Sequence, residues 1–192
     1  MARANLTPAA VIAAAAELAD REGFDAVSVS ALARRFGVQT ASLYSHVRDR
    51  SAVLDGVHVL ALGELADRIA VAIGGRSGRD ALVALAAAHR AYARECPGRW
   101  AALQRPAAAS TVRSAAAARV VALNLAMLRG YRLPETELVH ATRLLGATVN
   151  GFLALEANGS FGHRDPATDD SWHRAIDALD VAFRHWPAER NS

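Results

Sequence analysis

The chain has 192 residues, and its hydrophobic fraction of 52% is enough for a sizeable buried core. Its net charge of +3 excludes a generally polybasic surface, so any attraction for nucleic acid must be local. The one cysteine excludes an internal disulfide, which fits a reducing cytoplasm, and no stretch of about 20 residues is free of charge, so we expect no membrane span.

A first helix is predicted close to the N-terminus. Thr7 can cap it, and Pro8 suits its first position, where a missing N–H costs nothing. Since Met1-Ala2-Arg3 leads straight into this helix, we expect no signal peptide. Alanine and leucine, which favour helix, dominate the whole chain, and no alternating β-branched run indicates a sheet, so the predicted class is all-α.

Residues 28–55 predict two short helices joined by a tight turn, with a third helix behind them. In the first helix, apolar residues recur at the spacing of one helical face: Val29, Leu32, Ala33 and Phe36. Ser28 can cap this helix, and Gly37 can end it in the left-handed conformation. A second short helix is predicted from about Thr40 to Val47. This is the helix-turn-helix pattern, which places its second helix in the DNA major groove.

Helical geometry distributes the side chains of the second helix. Leu43 and Val47 share the side that must be buried. Short side chains point away from them, toward where base edges would lie: Ala41, Ser42 and Ser45. Thr40, Tyr44 and His46 lie between the buried side and the outward side of this helix. These positions face the walls of the groove, so their side chains can bind phosphates. Tyr44 and His46 could equally be ordinary half-buried helix residues.

The third helix begins in a cationic neighbourhood. Asp49 can cap it, which leaves Arg50 in its first turn beside free backbone N–H groups. A guanidinium is unfavourable there unless an anion is also present, and a phosphate is the natural anion. Four arginines lie close together in this part of the chain and strengthen the DNA-binding interpretation: Arg34, Arg35, Arg48 and Arg50.

The run from Leu6 to Val57 resembles the N-terminal domain of the TetR family of transcriptional repressors. The match consists of Glu22-Gly23-Phe24, residues 28–33, Gly37-Val38, residues 43–47 and Asp49-Arg50 through Leu54. The resemblance implies phosphate or groove contacts by Ser28, Gln39, Thr40, Tyr44, His46 and Arg50. Serines stand at 30 and 45, where family members often carry longer side chains, so recognition is expected to lean on Thr40, Ala41 and Ser42.

The rest of the chain reads as longer helices separated by glycine and proline. They are predicted at about 49–73, 80–95, 100–104, 110–129, 134–159 and 170–185. The glycine cluster at 74–78 is a linker, because no Gly-Lys-Ser/Thr follows it as in a phosphate loop.

The last two helices predict a homodimer. Ala147, Gly151 and Leu155 form a row where another backbone could approach closely. The final helix has a narrow apolar seam of the kind used between paired helices: Trp172, Ile176, Leu179, Phe183 and Trp186. These faces suggest a four-helix bundle between two copies of the chain. Alternatively, they complete the core of a single protomer.

Residues 97–100 and 143–162 resemble a TetR-type C-terminal domain named for a Trp-His-Gly signature, with Asn150 in place of the histidine. The resemblance implies dimerisation and binding of a small-molecule effector. We expect a mostly apolar pocket bounded by segments 80–105, 110–130 and 134–152. Its predicted ligand contacts are His89, Tyr92, Trp100 and Asn150. Asn150 could instead bond a neighbouring helix or the dimer partner.

An enzyme is the competing class, and the residues argue against it. No two of the seven histidines have the i, i+4 spacing of a helical zinc site, and without lysine there is no Schiff-base chemistry. We therefore expect no cofactor and no metal. The predicted protein is a cytoplasmic, homodimeric repressor that binds an operator in double-stranded DNA and is released by a small molecule. Its predicted domains are 1–52, the three-helix DNA-binding domain, and 53–192, the helical ligand-binding and dimerisation domain. The alternative is a helical ligand-binding module without specific DNA binding.

Overall fold

A computed structural model describes residues 6–187, and within them the regular structure is helical, with no β-strand. The α-helices are α1 (Pro8–Glu22), α2 (Val29–Phe36), α3 (Thr40–Leu43), α4 (Arg50–Ile73), α5 (Gly78–Glu95), α6 (Pro97–Leu103), α7 (Ala109–Val112), α8 (Ala115–Arg129), α9 (Leu138–Ala157) and α10 (Thr168–Arg184). Short 3₁₀ turns lie at Phe24–Ala26 and Glu135–Glu137. The all-α prediction is confirmed.

The chain divides into two compact units. The first extends to Ala66 and resumes over Tyr92–Arg119, and the second comprises Asp67–Ala91 and the chain from Val120 onward. The predicted domain boundary after residue 52 stays a prediction. Residues 1–5 and 188–192 lie outside the described residues. The prediction that no signal peptide is present at Met1-Ala2-Arg3 falls on the first of these segments.

The first unit begins with helices whose ends are fixed by local hydrogen bonds, as the sequence predicts. The Thr7 hydroxyl accepts a hydrogen bond from the Ala10 N–H at 3.1 Å, and Pro8 occupies the first turn. The Ser28 hydroxyl accepts one from the Ala31 N–H at 3.2 Å. Gly37 ends α2 with φ +66°, a conformation that glycine adopts without steric cost.

One hydrophobic core joins α1, α2, α3 and the first half of α4. Its fully buried members come from each of these helices: Val11, Ala15, Leu32, Leu43, Val53 and Val57. Since these side chains interdigitate, the four helices are positioned by one another rather than by their connections.

Helix α3 is shorter than predicted, because it ends at Leu43 instead of continuing to Val47. The Ser45 hydroxyl donates to the Ser42 carbonyl at 2.7 Å, and the His46 N–H donates to the Leu43 carbonyl at 2.9 Å. Side-chain bonding of a carbonyl and an i→i−3 backbone bond both tighten the chain into a turn. Residues 44–46 therefore form a turn that still carries the predicted outward side chains.

Two other boundaries also differ from the prediction. Helix α6 begins at Pro97, which the sequence suggested as a stop, because proline suits the first turn of a helix. The segment predicted as one helix from 110 to 129 is divided at Ser114, whose hydroxyl accepts a hydrogen bond from the Ala117 N–H at 3.2 Å. A serine that caps the start of α8 thereby separates it from α7.

In the second unit, arginines of α5 hold α10. Arg79 pairs with Asp177 at 2.6 Å, and Arg90 pairs with Asp169 at 2.6 Å and with Glu156 of α9 at 2.5 Å. Arg79, near the start of α5, thus meets Asp177, in the second half of α10. Arg90, near the end of α5, meets Asp169, at the start of α10, so the two helices run antiparallel. The Arg90 guanidinium also lies 5.1 Å from the ring of Trp172, a cation–π contact.

The predicted intermolecular seam of α10 is instead buried within the protomer. Trp172, Ile176, Leu179 and Phe183 are at most 5% exposed, and Phe183 contacts Tyr131 edge to face at 5.4 Å between ring centres. The assignment of this seam to a dimer contact is therefore wrong, because α5, α9 and the chain before α9 already cover it.

Helix α9 has a different character. The segment Glu135–Ala157 is long and apolar enough to cross a membrane by length and composition alone, a test that core helices of soluble proteins also pass. Only 28% of its most apolar window is buried within the protomer. Its uncovered side carries His140 and Arg143 among apolar and small residues: Val139, Leu144, Ala147, Gly151, Ala154 and Leu155.

Helix α6 lies directly on α1 at Gly98. A Cβ at this position would overlap the backbone C and O atoms of Ala19. Glycine is therefore required here by the closeness of two backbones and not by its φ angle.

We expect Gly98→Ala to lower the free energy of unfolding by about 1–3 kcal/mol, because the added methyl group must push α1 and α6 apart. Gly63→Ala in α4 is the matched control, since a Cβ there meets no atom within 4 Å. The control should gain about 0.5–1 kcal/mol from better helix propensity. Urea denaturation followed by circular dichroism measures both, and equal effects of the two changes would contradict this account of α6.

Candidate nucleic-acid interface

Helix α3 and the turn after it have one buried and one exposed side. Leu43 and Val47 are 0% and 7% exposed, which agrees with the predicted buried side. The exposed side carries the residues predicted to face base edges, Ala41, Ser42 and Ser45. Because the Ser45 hydroxyl proton is directed to the Ser42 carbonyl, its oxygen remains as the group that can accept a bond from outside.

The larger predicted contacts surround this surface. The side chain of Tyr44 is 54% exposed, which is unusual for an aromatic residue next to a core and leaves its hydroxyl accessible. Gln39 is also exposed at the start of α3, whereas Thr40 and His46 are half-buried. The structure thus brings these four residues to the surface that α3 presents.

Ser28 is placed differently, at the start of α2. Its hydroxyl accepts from the Ala31 N–H and lies 3.2 Å from the Ser30 hydroxyl. Ser28 is half-buried, so its first role is to cap α2. Capping leaves a hydroxyl and the free N–H groups of a helix start at the same surface.

Arg50 has a structural role that the sequence reasoning missed. Its Nε donates to the Val27 carbonyl at 2.6 Å, and one Nη donates to the Asp25 carbonyl at 3.3 Å. The guanidinium therefore ties the start of α4 to the segment before α2. The sequence gives no signal for this contact, because the acceptors are backbone atoms more than twenty residues away.

The neighbouring arginines differ in how they are held. Arg35 forms an ion pair with Glu17 of α1, and Arg48 pairs with Asp49 at 2.8 Å while its side chain stays 81% exposed. Asp49 also caps α4 by accepting from the Ala52 N–H at 2.8 Å, as predicted. Arg48 is consequently free to reorient toward a phosphate without loss of a buried contact.

The predicted ligand contacts are distributed over both units. His89 and Asn150 belong to the second unit, and Tyr92 and Trp100 belong to the first. His89 is buried with Nδ1 2.9 Å from the Leu85 carbonyl, and burial lowers the pKa of its imidazole below the ordinary value. His89 is therefore a neutral side chain at physiological pH.

Tyr92 is fully buried and donates its hydroxyl hydrogen to Glu64 at 2.9 Å. Burial, followed by this bond and the charge of Glu64, raises the pKa of Tyr92 far above its ordinary value. The same carboxylate accepts from Arg99, whose guanidinium also pairs with Asp20. Sequence reasoning did not find this group, because its members come from four different helices.

Two cavities of the second unit have the size of small-molecule sites. One of about 450 Å³ lies at the loop that connects α9 to α10 and is lined by residues that include Phe161, His163, Arg164 and Ser171. The other, of about 430 Å³, is open and alanine-rich between α4 and α5. Neither is lined by His89 or Asn150, and the assignment of His89, Tyr92, Trp100 and Asn150 to an effector stays a prediction.

Comparison with known proteins identifies both parts of the chain. Residues 11–57 match the family model described as bacterial regulatory proteins, tetR family, and residues 82–179 match the model of a tetracyclin repressor-like C-terminal domain. The second match alone covers half of the chain. The chain belongs to the TetR family.

Relatives and solved structures agree with this membership. An uncharacterized HTH-type transcriptional regulator, YobS of Bacillus subtilis, is 34% identical over 83% of this chain and 83% of its own length. A second one, from Mycobacterium tuberculosis, is 30% identical over 81% of this chain and 72% of its own. A TetR variant from Acinetobacter baumannii in complex with minocycline has the same fold, with a TM-score of 0.72, 21% identity and coverage of 96% of this chain and all of that one.

Membership in this family identifies the protein as a transcriptional regulator with a helix-turn-helix DNA-binding domain, and not as an enzyme. The surface presented by α3 lies within the part of the chain that matches the N-terminal family model, and it is the candidate nucleic-acid interface. The individual contacts of its residues with DNA remain predictions.

Arg50→Ala should lower the free energy of unfolding by about 1–2 kcal/mol, because it removes the donor for the Val27 and Asp25 carbonyls. Arg48→Ala, which loses only a solvent-exposed pair, should leave the free energy of unfolding close to the wild-type value. Thermal and urea unfolding of the two variants make the comparison. If both leave stability unchanged, the bonds of Arg50 do not hold α4 in solution.

Proposed function

We propose that the protein is a homodimeric, cytoplasmic repressor that binds an operator in double-stranded DNA and leaves it when a small molecule binds. The observation that carries the DNA-binding part is the two-sided character of α3. Its apolar side is fixed in a close-packed core, while its exposed side offers only short polar or small side chains and a protruding tyrosine.

The proposed DNA contacts divide into two classes. Ala41, Ser42 and Ser45 approach base edges, where short side chains can act only if the helix backbone lies deep in the groove. The flanking residues bind phosphates and fix the orientation of the helix: Ser28, Gln39, Thr40, Tyr44, His46 and Arg50. Arg50 donates to the phosphate with the guanidinium N–H groups that do not bind the Val27 and Asp25 carbonyls. With so few long side chains at the base edges, most of the affinity comes from phosphates.

A homodimer is proposed because two half-sites require two recognition helices at a matching spacing of about 34–36 Å or a multiple of it. The uncovered side of α9 is the proposed contact. Its small residues allow close approach of a second helix, and an apolar helix with little burial inside its own protomer requires a cover.

Release by a small molecule is proposed from the family and from the related TetR protein whose structure contains minocycline. A molecule that binds one arrangement of the protein more tightly than the DNA-bound arrangement lowers DNA affinity by that difference. The proposed effector contacts are His89, Tyr92, Trp100 and Asn150. Buried, neutral His89 and Tyr92 suit an apolar or aromatic effector better than a highly charged one.

The competing function is a helical ligand-binding module without specific DNA binding. A duplex that carries the upstream region of the chain's own gene distinguishes the two. The repressor should retard this duplex in the presence of excess unrelated DNA, and a purely ligand-binding module should not.

We expect Tyr44→Phe to weaken binding to the upstream duplex and to unrelated duplexes by a similar factor, since a phosphate contact carries no sequence information. Removing an uncharged donor should leave the dependence of affinity on salt unchanged. In Arg48→Ala, by contrast, that slope should fall by about one unit if Arg48 meets a phosphate. Fluorescence anisotropy over a range of salt concentrations gives the affinity of each of the two variants for the upstream duplex and for unrelated duplexes, together with its salt dependence. A loss confined to the upstream duplex would assign Tyr44 to base recognition instead.

Gly151→Leu should weaken the dimer, because a leucine at the small row of α9 separates the two helices and costs about 1–3 kcal/mol. The control is Ala87→Leu, at an exposed position of α5 instead of α9. Sedimentation equilibrium at micromolar concentration measures both. A monomeric wild type, or a Gly151→Leu protein that dimerises as tightly as the wild type, would remove α9 from the proposed interface.

A further inference from the structure

The Arg99 guanidinium lies between carboxylates of two different helices in the first unit. Its Nε is 2.9 Å from Asp20 Oδ2 in α1, and one Nη donates to both oxygens of Glu64 in α4 at 2.9 Å. The backbone N–H of Arg99 donates to the other oxygen of Asp20, also at 2.9 Å. Asp20 thus accepts a hydrogen bond from the main chain of Arg99 and forms an ion pair with its guanidinium, whose Nε makes no hydrogen bond.

This cluster is partly shielded from water. The side chains of Arg99 and Asp20 are 20% and 15% exposed, and that of Glu64 is 36% exposed. Glu64 is further fixed by the hydroxyl of fully buried Tyr92 in α5. Separating one partner would leave a partly buried charge uncompensated, so α1 and α4 must follow any displacement of α6.

Gly98, next to Arg99, further restricts movement of α6 relative to α1. At Gly98 the backbones of α6 and α1 are in direct contact, with no side chain between them to absorb a shift. Helix α1 shares one core with α2 and α3, so a displacement of α1 is passed to the helix that presents Ala41, Ser42 and Ser45.

We propose that Arg99 is a positioning residue for DNA binding, which fixes α1 and α4 to α6 through Asp20 and Glu64 and so sets the orientation of α3. This inference rests on the proposed DNA-binding function and adds the residues through which the position of α6 controls it. Arg99 contacts no DNA in this proposal. Breaking its pairs reorients the DNA-reading helices without removing any contact residue.

The test compares Arg99→Gln, Asp20→Asn and Glu64→Gln with Arg79→Gln. The control breaks an arginine–aspartate pair of similar length that is exposed and lies in the second unit. Hydrogen exchange of the unliganded full chain is measured first and needs no DNA. Arg99→Gln should speed exchange at the end of α1 and around Glu64, and Arg79→Gln should not. Unchanged exchange at both segments would overturn the proposal, whether or not the chain binds DNA.

Affinity for the upstream duplex is then measured by anisotropy at a temperature where every variant is folded by circular dichroism. Arg99→Gln should lose about tenfold in affinity, the size of a typical coupling between two sites. Asp20→Asn combined with Arg99→Gln should lose no more than Arg99→Gln alone, since the residues act as one unit. A purely structural Arg99 would lower the melting temperature and leave the affinity of the folded protein at the wild-type value, which would also overturn the proposal. A wild type that binds no duplex refutes the proposed function and with it the role in DNA binding, and the exchange data then decide only whether Arg99 fixes α1 and α4 to α6.

Discussion

The direct contact between α6 and α1 at Gly98 is the constraint on which the first unit depends. Two helices can approach this closely only where one of them has no side chain, and α6 meets this condition in its first turn. Asp20 and Arg99 flank the contact and form one hydrogen bond and one ion pair where water is partly excluded. Steric fit and charge pairing at adjacent residues therefore fix the same relation between two helices that are far apart in sequence.

The exposed surface of α3 results from opposing requirements on a very short element. A helix of four residues has little stability of its own, so α3 must be fixed by its neighbours. Leu43 and Val47 supply that anchor, and the bonds of Ser45 and His46 close the turn between them. Arg50 adds a second restraint by joining the start of α4 to the carbonyls before α2. The exposed side of α3 takes no part in the apolar core and is available for recognition.

The second unit relies on arginine in a different way. Arg90 is almost completely buried, yet its two carboxylate partners and the Trp172 ring satisfy its charge. A buried ion pair of this kind adds little net stability, but it tolerates no alternative partner arrangement without a large penalty. It therefore specifies how α5, α9 and α10 meet, and it leaves the small-residue side of α9 uncovered.

Local signals in the sequence determined much of this protein. Thr7, Ser28 and Gly37 identified helix ends correctly, because caps act within three or four residues of the chain. The spacing of Leu43 and Val47 identified the buried side of the recognition segment, and the motifs around them identified the family. These features depend on backbone geometry and side-chain periodicity, which the order of residues fixes by itself.

Only the tertiary structure decided which contacts the apolar helix faces and the arginines make. The seam of α10 was suited to a partner helix or to the protomer core, and only the folded chain revealed that the protomer covers it. Arg50 was correctly placed at a helix start, but its bonds to Val27 and Asp25 required the fold. Arg99 meets Asp20 across 79 positions of sequence. Such contacts join residues that are distant along the chain, so no local pattern of amino acids can specify them.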